Sequence, residues 1–260
     1  MKFAGIWLGR LVAVLAMVAG GLVWFGATAQ AATVCGSQPV PTGYVITSET
    51  LTNTCTGGYL TETIQLPYNG IQICDNSPLP SGYVLTADYT TNNCGSYQGG
   101  TLNTPYSGIT ICGNGNGAIP GNYVITSESP SGPCGQYYSE VIRTVSNGIQ
   151  ICGNSPIPSG YVITSNYTLG ACGIYQAANL TAAYNGMQFC GNSPIPANYV
   201  ITGNYTVNSC GQYLGGSLST VYNGITACAN SPIPSGYWVS AGYFQTAPCG
   251  MYQAEKLSNS

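Results

Sequence analysis

The chain contains no histidine, and beyond its first ten residues its only cations are Arg143 and Lys256. Without imidazole, Ser-His-Asp and Cys-His nucleophilic arrangements are excluded, and zinc loses its usual nitrogen ligands. With so little Lys and Arg there is no basic face for nucleic acid. No C-x-x-C pair, P-loop or G-x-S-x-G occurs, so the redox, phosphate-binding and hydrolase motifs have no residues to carry them. Helical periodicity is also missing after the first 25 residues. The seven acids, Glu49, Glu62, Asp75, Asp88, Glu128, Glu140 and Glu255, leave a faintly acidic, nearly uncharged chain. Low charge removes the repulsion that keeps proteins apart and so favours self-association. It does not imply disorder, because the chain is rich in Val, Ile, Thr and Tyr.

Long apolar runs are absent except near the start. Lys2 and Arg10 precede an apolar stretch from Leu11 to Phe25, followed by the small-residue segment GATAQAA. This order reads as a secretory signal peptide over residues 1–31, with Ala27-Thr28-Ala29 or Ala29-Gln30-Ala31 as the exit. The uninterrupted run is shorter than the ~18 residues of a spanning helix. Residues 32–260 are therefore expected to form a single repeat domain without a membrane span. Its expected location is secreted, either extracellular or held in the periplasm or at the cell surface.

What is present is a period. Twelve cysteines stand at Cys35, Cys55, Cys74, Cys94, Cys112, Cys134, Cys152, Cys172, Cys190, Cys210, Cys228 and Cys249. Their two classes recur about every 38 residues. The repeats run approximately over 35–73, 74–111, 112–151, 152–189, 190–227 and 228–260, the last one truncated. An even cysteine count behind a secretory signal implies disulfides. Pairing the two cysteines of each repeat uses all twelve, whereas pairing across repeats strands Cys35 and Cys249. Each bridge then closes a loop of about 20 residues and stabilises a small β unit by about 3 kcal/mol.

Within the repeat, a Pro-x-Pro loop leads to Gly43, Gly82, Asn122, Gly160, Asn198 or Gly236, a column that predicts positive φ. A β-branched strand follows, such as Tyr44-Val45-Ile46-Thr47, apolar on both faces. A second strand carries the apolar column Ile64, Leu102, Ile142, Leu180, Leu218 and Leu257. Asn69-Gly70, Asn147-Gly148, Asn185-Gly186 and Asn223-Gly224 then read as type I′ hairpin turns into an alternating third strand such as Ile71-Gln72-Ile73. Glu49, Asp88 and Glu128 share a column with Asn166, Asn204 and Gly242. That drift from acid to amide to glycine predicts a turn or an exposed position.

The expected fold is all-β: six tandem disulfide-stapled repeats in an elongated array or solenoid. The alternative is a propeller-like ring closed by pairing the two chain ends. No catalytic group, cofactor or metal site is expected. Tyrosines fall into four columns, and two of them make the candidate binding surface: Tyr89, Tyr167, Tyr205 and Tyr243 near the end of the first strand, and Tyr68, Tyr106, Tyr184 and Tyr222 before the Asn-Gly or Ser-Gly turn. The other two columns are expected to pack between repeats. The partners expected are other copies of the chain, or cell-surface and matrix polymers such as polysaccharide. The function expected is structural and non-catalytic, in adhesion or extracellular matrix assembly. The alternative is a multivalent carbohydrate-binding protein with one weak site per repeat.

Overall fold

The computed structural model describes residues 31–52, 55, 60–113 and 119–259. The signal-peptide reading therefore lies outside the described residues, and so does Tyr59. Among the described residues, no helix is long and apolar enough to cross a membrane.

Strands group into six three-stranded antiparallel sheets. The first holds β1 (Ala32–Cys35), β2 (Val45–Leu51) and β3 (Leu60–Gln65); the second β4 (Ile71–Cys74), β5 (Val84–Tyr89) and β6 (Gly99–Asn103). The third holds β7 (Thr110–Cys112), β8 (Tyr123–Ser129) and β9 (Ser139–Thr144); the fourth β10 (Ile149–Cys152), β11 (Tyr161–Tyr167) and β12 (Ala177–Ala182). The fifth holds β13 (Gln188–Cys190), β14 (Tyr199–Thr206) and β15 (Leu214–Thr220); the sixth β16 (Thr226–Cys228), β17 (Tyr237–Phe244) and β18 (Ala254–Asn259). In every sheet the last strand in sequence lies in the middle.

This order corrects the hairpin expectation. β3 pairs with β1 and β2, whereas β4, after the Asn-Gly turn, pairs with β6 of the next sheet. A type I′ turn needs positive φ at both central residues. Here Gly70 has φ +82° but Asn69 is not left-handed. The Ile71 amide donates to the Tyr68 carbonyl at 3.2 Å, so the turn is of type II and redirects the chain into a new sheet. Each sheet thus begins about four residues before its first cysteine. The sixth is complete rather than truncated. The positive-φ expectation holds at Gly43, Gly82, Gly160, Asn198 and Gly236, but not at Asn122.

Every outer strand of the β2 kind has a bulge, opening between Ile46 and Ser48 in the first sheet and between Val239 and Ala241 in the last. The bulged residue's hydroxyl closes the gap: Thr47 donates to the Thr63 carbonyl at 3.2 Å, and Ser240 to that of Lys256 at 3.2 Å.

The disulfides join the two cysteines of each repeat: Cys35–Cys55, Cys74–Cys94, Cys112–Cys134, Cys152–Cys172, Cys190–Cys210 and Cys228–Cys249. The core lies between sheets as well as within them. β2 packs on β4, β5 on β7, β8 on β10, β11 on β13 and β14 on β16. Val45 clusters with Ile71, Val84 with Ile109, Val162 with Met187 and Val200 with Ile225. Ile46 and Ile64 cluster with the Cys74–Cys94 bridge of the following sheet. Among the described residues, β1 pairs only with β3, and β18 only with β16 and β17, so their strand pairing does not close the array into a ring. The fold is a tandem array of disulfide-stapled β repeats.

Candidate functional site: an acid and amide ladder and an exposed tyrosine row

Two sets of polar side chains recur along the array, one at the junctions and one on the surface. At four junctions, the Cys-x-Asn-Ser-Pro segment of the second, fourth, fifth or sixth sheet meets the bulged strand of the sheet before it. The buried Ile125, Ile163 and Ile201 amides donate to Ser155, Ser193 and Ser231 Oγ at 2.9 Å, and Ile46 does the same to Ser77. These contacts satisfy amides that point away from the sheet on its outer strand.

The asparagine before that serine reaches the column that begins with Glu49. Asn76 Nδ2 donates to Glu49 Oε1 at 2.6 Å, and Asn154 Nδ2 to Glu128 Oε1. Where the column turns to amide, the contact becomes reciprocal. Asn166 and Asn192 exchange hydrogen bonds of 3.2 and 3.1 Å, as do Asn204 and Asn230 at 3.1 and 3.2 Å. The exposed-turn expectation for this column is therefore corrected. Glu49, Asp88 and Glu128 are 4%, 3% and 8% exposed. The drift from acid to amide is a change of rung within one inter-sheet ladder. The signal available in the sequence was the recurrence of Asn two residues after the first cysteine: Asn76, Asn154, Asn192 and Asn230.

Two carboxylate pairs lie beside the ladder. Glu49 stands opposite Glu62 and Glu128 opposite Glu140, all buried. Desolvation and the neighbouring Glu128 push the Glu140 carboxyl up to about 7. Burial, then Glu49, raises Glu62. Burial raises Glu128 as well, against the Asn154 hydrogen bond, which lowers it. Asp88 is raised to about 6 by burial and by Asp75. A carboxyl that keeps its proton to higher pH, as Glu140 does, lets like carboxyls share a nearly dry site. Among the described residues, no three His, Cys, Asp or Glu side chains converge as metal ligands.

The tyrosine columns divide by exposure. Tyr68, Tyr106, Tyr184 and Tyr222 are 52%, 62%, 59% and 60% exposed, a row with one ring per junction except where Ser146 replaces it. Of the second candidate column, Tyr89 and Tyr167 are half-buried, while Tyr205 and Tyr243 are exposed. Tyr89 and Tyr167 hydroxyls donate within their own sheets, to the Gly100 carbonyl and to Asn179 Oδ1. The column at the start of the first strand is half-buried and ties sheets together: Tyr83, Tyr123 and Tyr199 donate to the Pro67, Pro105 and Ala183 carbonyls. In the column after the second cysteine, Tyr97 and Tyr175 are exposed and Tyr137, Tyr213 and Tyr252 are half-buried. At the first junction Tyr68 borders a shallow groove with Thr47, Gln65 and Gln72. No family model, no curated protein and no solved structure matches this chain, so the ladder and the tyrosine row are read on their own chemistry.

Proposed function

We propose that this is a secreted or cell-surface structural protein that acts in adhesion or extracellular matrix assembly and does no chemistry of its own. Six disulfides fit an oxidising compartment. The observation that carries the reading is the row Tyr68, Tyr106, Tyr184 and Tyr222, large apolar rings held in water at a regular interval on a surface with almost no charge. Repeated aromatic contacts of this kind bury area at low entropic cost and add up along an array. The acids support a non-catalytic role, since six of the seven, all but Asp75, are less than 9% exposed.

Electron microscopy and sedimentation velocity of the oxidised protein across a concentration series test the proposal. Fibres or sheets support it, and particles that remain monomeric at high concentration overturn it. A second reading, multivalent carbohydrate binding, is favoured by one feature: Tyr68 flanked by Thr47, Gln65 and Gln72 in a shallow groove offers a stacking face beside hydrogen-bonding groups. Saturable binding of a soluble glycan by a monomeric protein selects that reading.

A further inference from the structure

The internal junctions share an apolar construction, and the first and sixth sheets expose its two halves. On the trailing side of each of the first five sheets stands a valine, Val45, Val84, Val124, Val162 or Val200, at most 2% exposed under the next sheet. The sixth sheet puts Trp238 there, 48% exposed. Val239, in place of the buried Ile201, is half-buried, and Tyr243 and Phe244 are 65% and 39% exposed. On the leading side, Ile71, Ile109, Met187 and Ile225 are buried against the preceding sheet. Register places Ala32 in that role in the first sheet, opposite Ile64 as Ile71 is opposite Leu102. Ala32 is exposed, and Val34 and Cys35 are half-buried where Ile73 and Cys74 are buried.

Resting on the assembly reading above, we infer that the trailing face of β17 docks on the leading face of β1 in a second copy of the chain, so that molecules join head to tail. Continuity with the internal junctions identifies the occupant, because the mate of each trailing face in this fold is a leading face of the same kind. The end residues are also matched in size, the largest side chain of the set, Trp238, falling opposite the smallest, Ala32. A repeat array capped for solubility would carry polar groups on its outer face; this one carries Trp238. The polar pins are missing from both ends together. Gly242 occupies the ladder position, and the next copy would offer Ser37 and Gln38 where internal sheets offer Asn76 and Ser77. The contact is therefore apolar and weaker than an internal junction. It is also heterologous, so it propagates as an open filament rather than closing as a dimer.

Sedimentation equilibrium of the oxidised, exported protein tests this with Trp238→Asp and Ala32→Asp, two exposed positions whose variants are first checked for native circular dichroism and melting. Wild type is expected to populate a series of multiples of the monomer mass. Each variant is expected to associate about tenfold more weakly or less. An equimolar mixture of the two is expected to form dimers and nothing larger, since each supplies the one face the other lacks. Assembly that persists unchanged in both variants overturns the end-to-end junction and leaves lateral assembly through the tyrosine row standing. A wild type that stays monomeric throughout overturns both.

Discussion

Glu128 and Glu140 stand directly opposite each other on β8 and β9, each 8% exposed, with the Asn154 amide of the next sheet on Glu128. Two like carboxyls in that position are tolerated because one keeps its proton. The unfolded chain has no such constraint and releases that proton near the ordinary value of 4.5. Between there and about 7 the folded state binds more protons than the unfolded one, so stability falls as pH rises. Asp88, raised to about 6, adds in the same direction. The melting temperature is expected to be higher at pH 4.5 than at pH 8 by several degrees. Glu140→Gln, which fixes the neutral form, is expected to flatten that dependence. Thermal scans over this range check it, and a melting temperature that rises with pH contradicts it.

Ser193 Oγ accepts the buried Ile163 amide. Removing the acceptor in Ser193→Ala leaves a buried N–H unsatisfied, a cost of about 1–3 kcal/mol. The loss is expected to appear as faster hydrogen exchange at the junction of the fourth and fifth sheets, with the distant first junction unchanged.

The reciprocal amide pair of Asn204 and Asn230 predicts coupling. Each single alanine variant is expected to cost about 1 kcal/mol, and the double variant distinctly less than the sum, because the second change removes a partner already lost. Denaturant melts of the four-member cycle measure the interaction term. Simple additivity would show that the rung contributes nothing.

Replacing Cys152 and Cys172 by serine opens a loop of 20 residues and is expected to cost about 3 kcal/mol. The same change at Cys228 and Cys249 is expected to be better tolerated, because the sixth sheet supports one junction and the fourth supports two. Limited proteolysis separates the cases. The interior variant is expected to yield two fragments cut near the fourth sheet, and the terminal variant a single shortened array.

Changing Tyr68, Tyr106, Tyr184 and Tyr222 together to serine removes rings that are all more than half exposed. Melting temperature is expected to hold within a few degrees while self-association or polymer binding is lost. A folded variant that assembles as well as wild type would remove the row from the contact surface.

The sequence carried the local facts of this fold well and the relational ones poorly. The period, the strands, the within-repeat bridges and five of six positive-φ positions depend on residues close together in the chain. The partner of β4 does not. Asn69-Gly70 is compatible with a hairpin or with a type II turn, and what decides between them is that Ile71 finds its strand partner at Leu102, beyond a Pro-x-Pro loop and a disulfide. The acid column failed for the same reason. Glu49 reads as an exposed turn residue when only its own repeat is considered, and its meaning comes from Asn76 in the next one. The exposure of Tyr68 and the half-burial of Tyr83 likewise follow from where Pro67 lies relative to the following sheet.

Because each sheet carries its own staple and receives its first strand through a turn from its predecessor, the chain can be broken and rejoined at matching points of the period without a new kind of contact arising. An unequal crossover between two copies of such a gene adds or deletes one whole sheet. The new neighbours meet through a buried valine, a serine acceptor and a ladder rung of the kind already in use. Array length is thereby open to change in whole steps, as on a ruler.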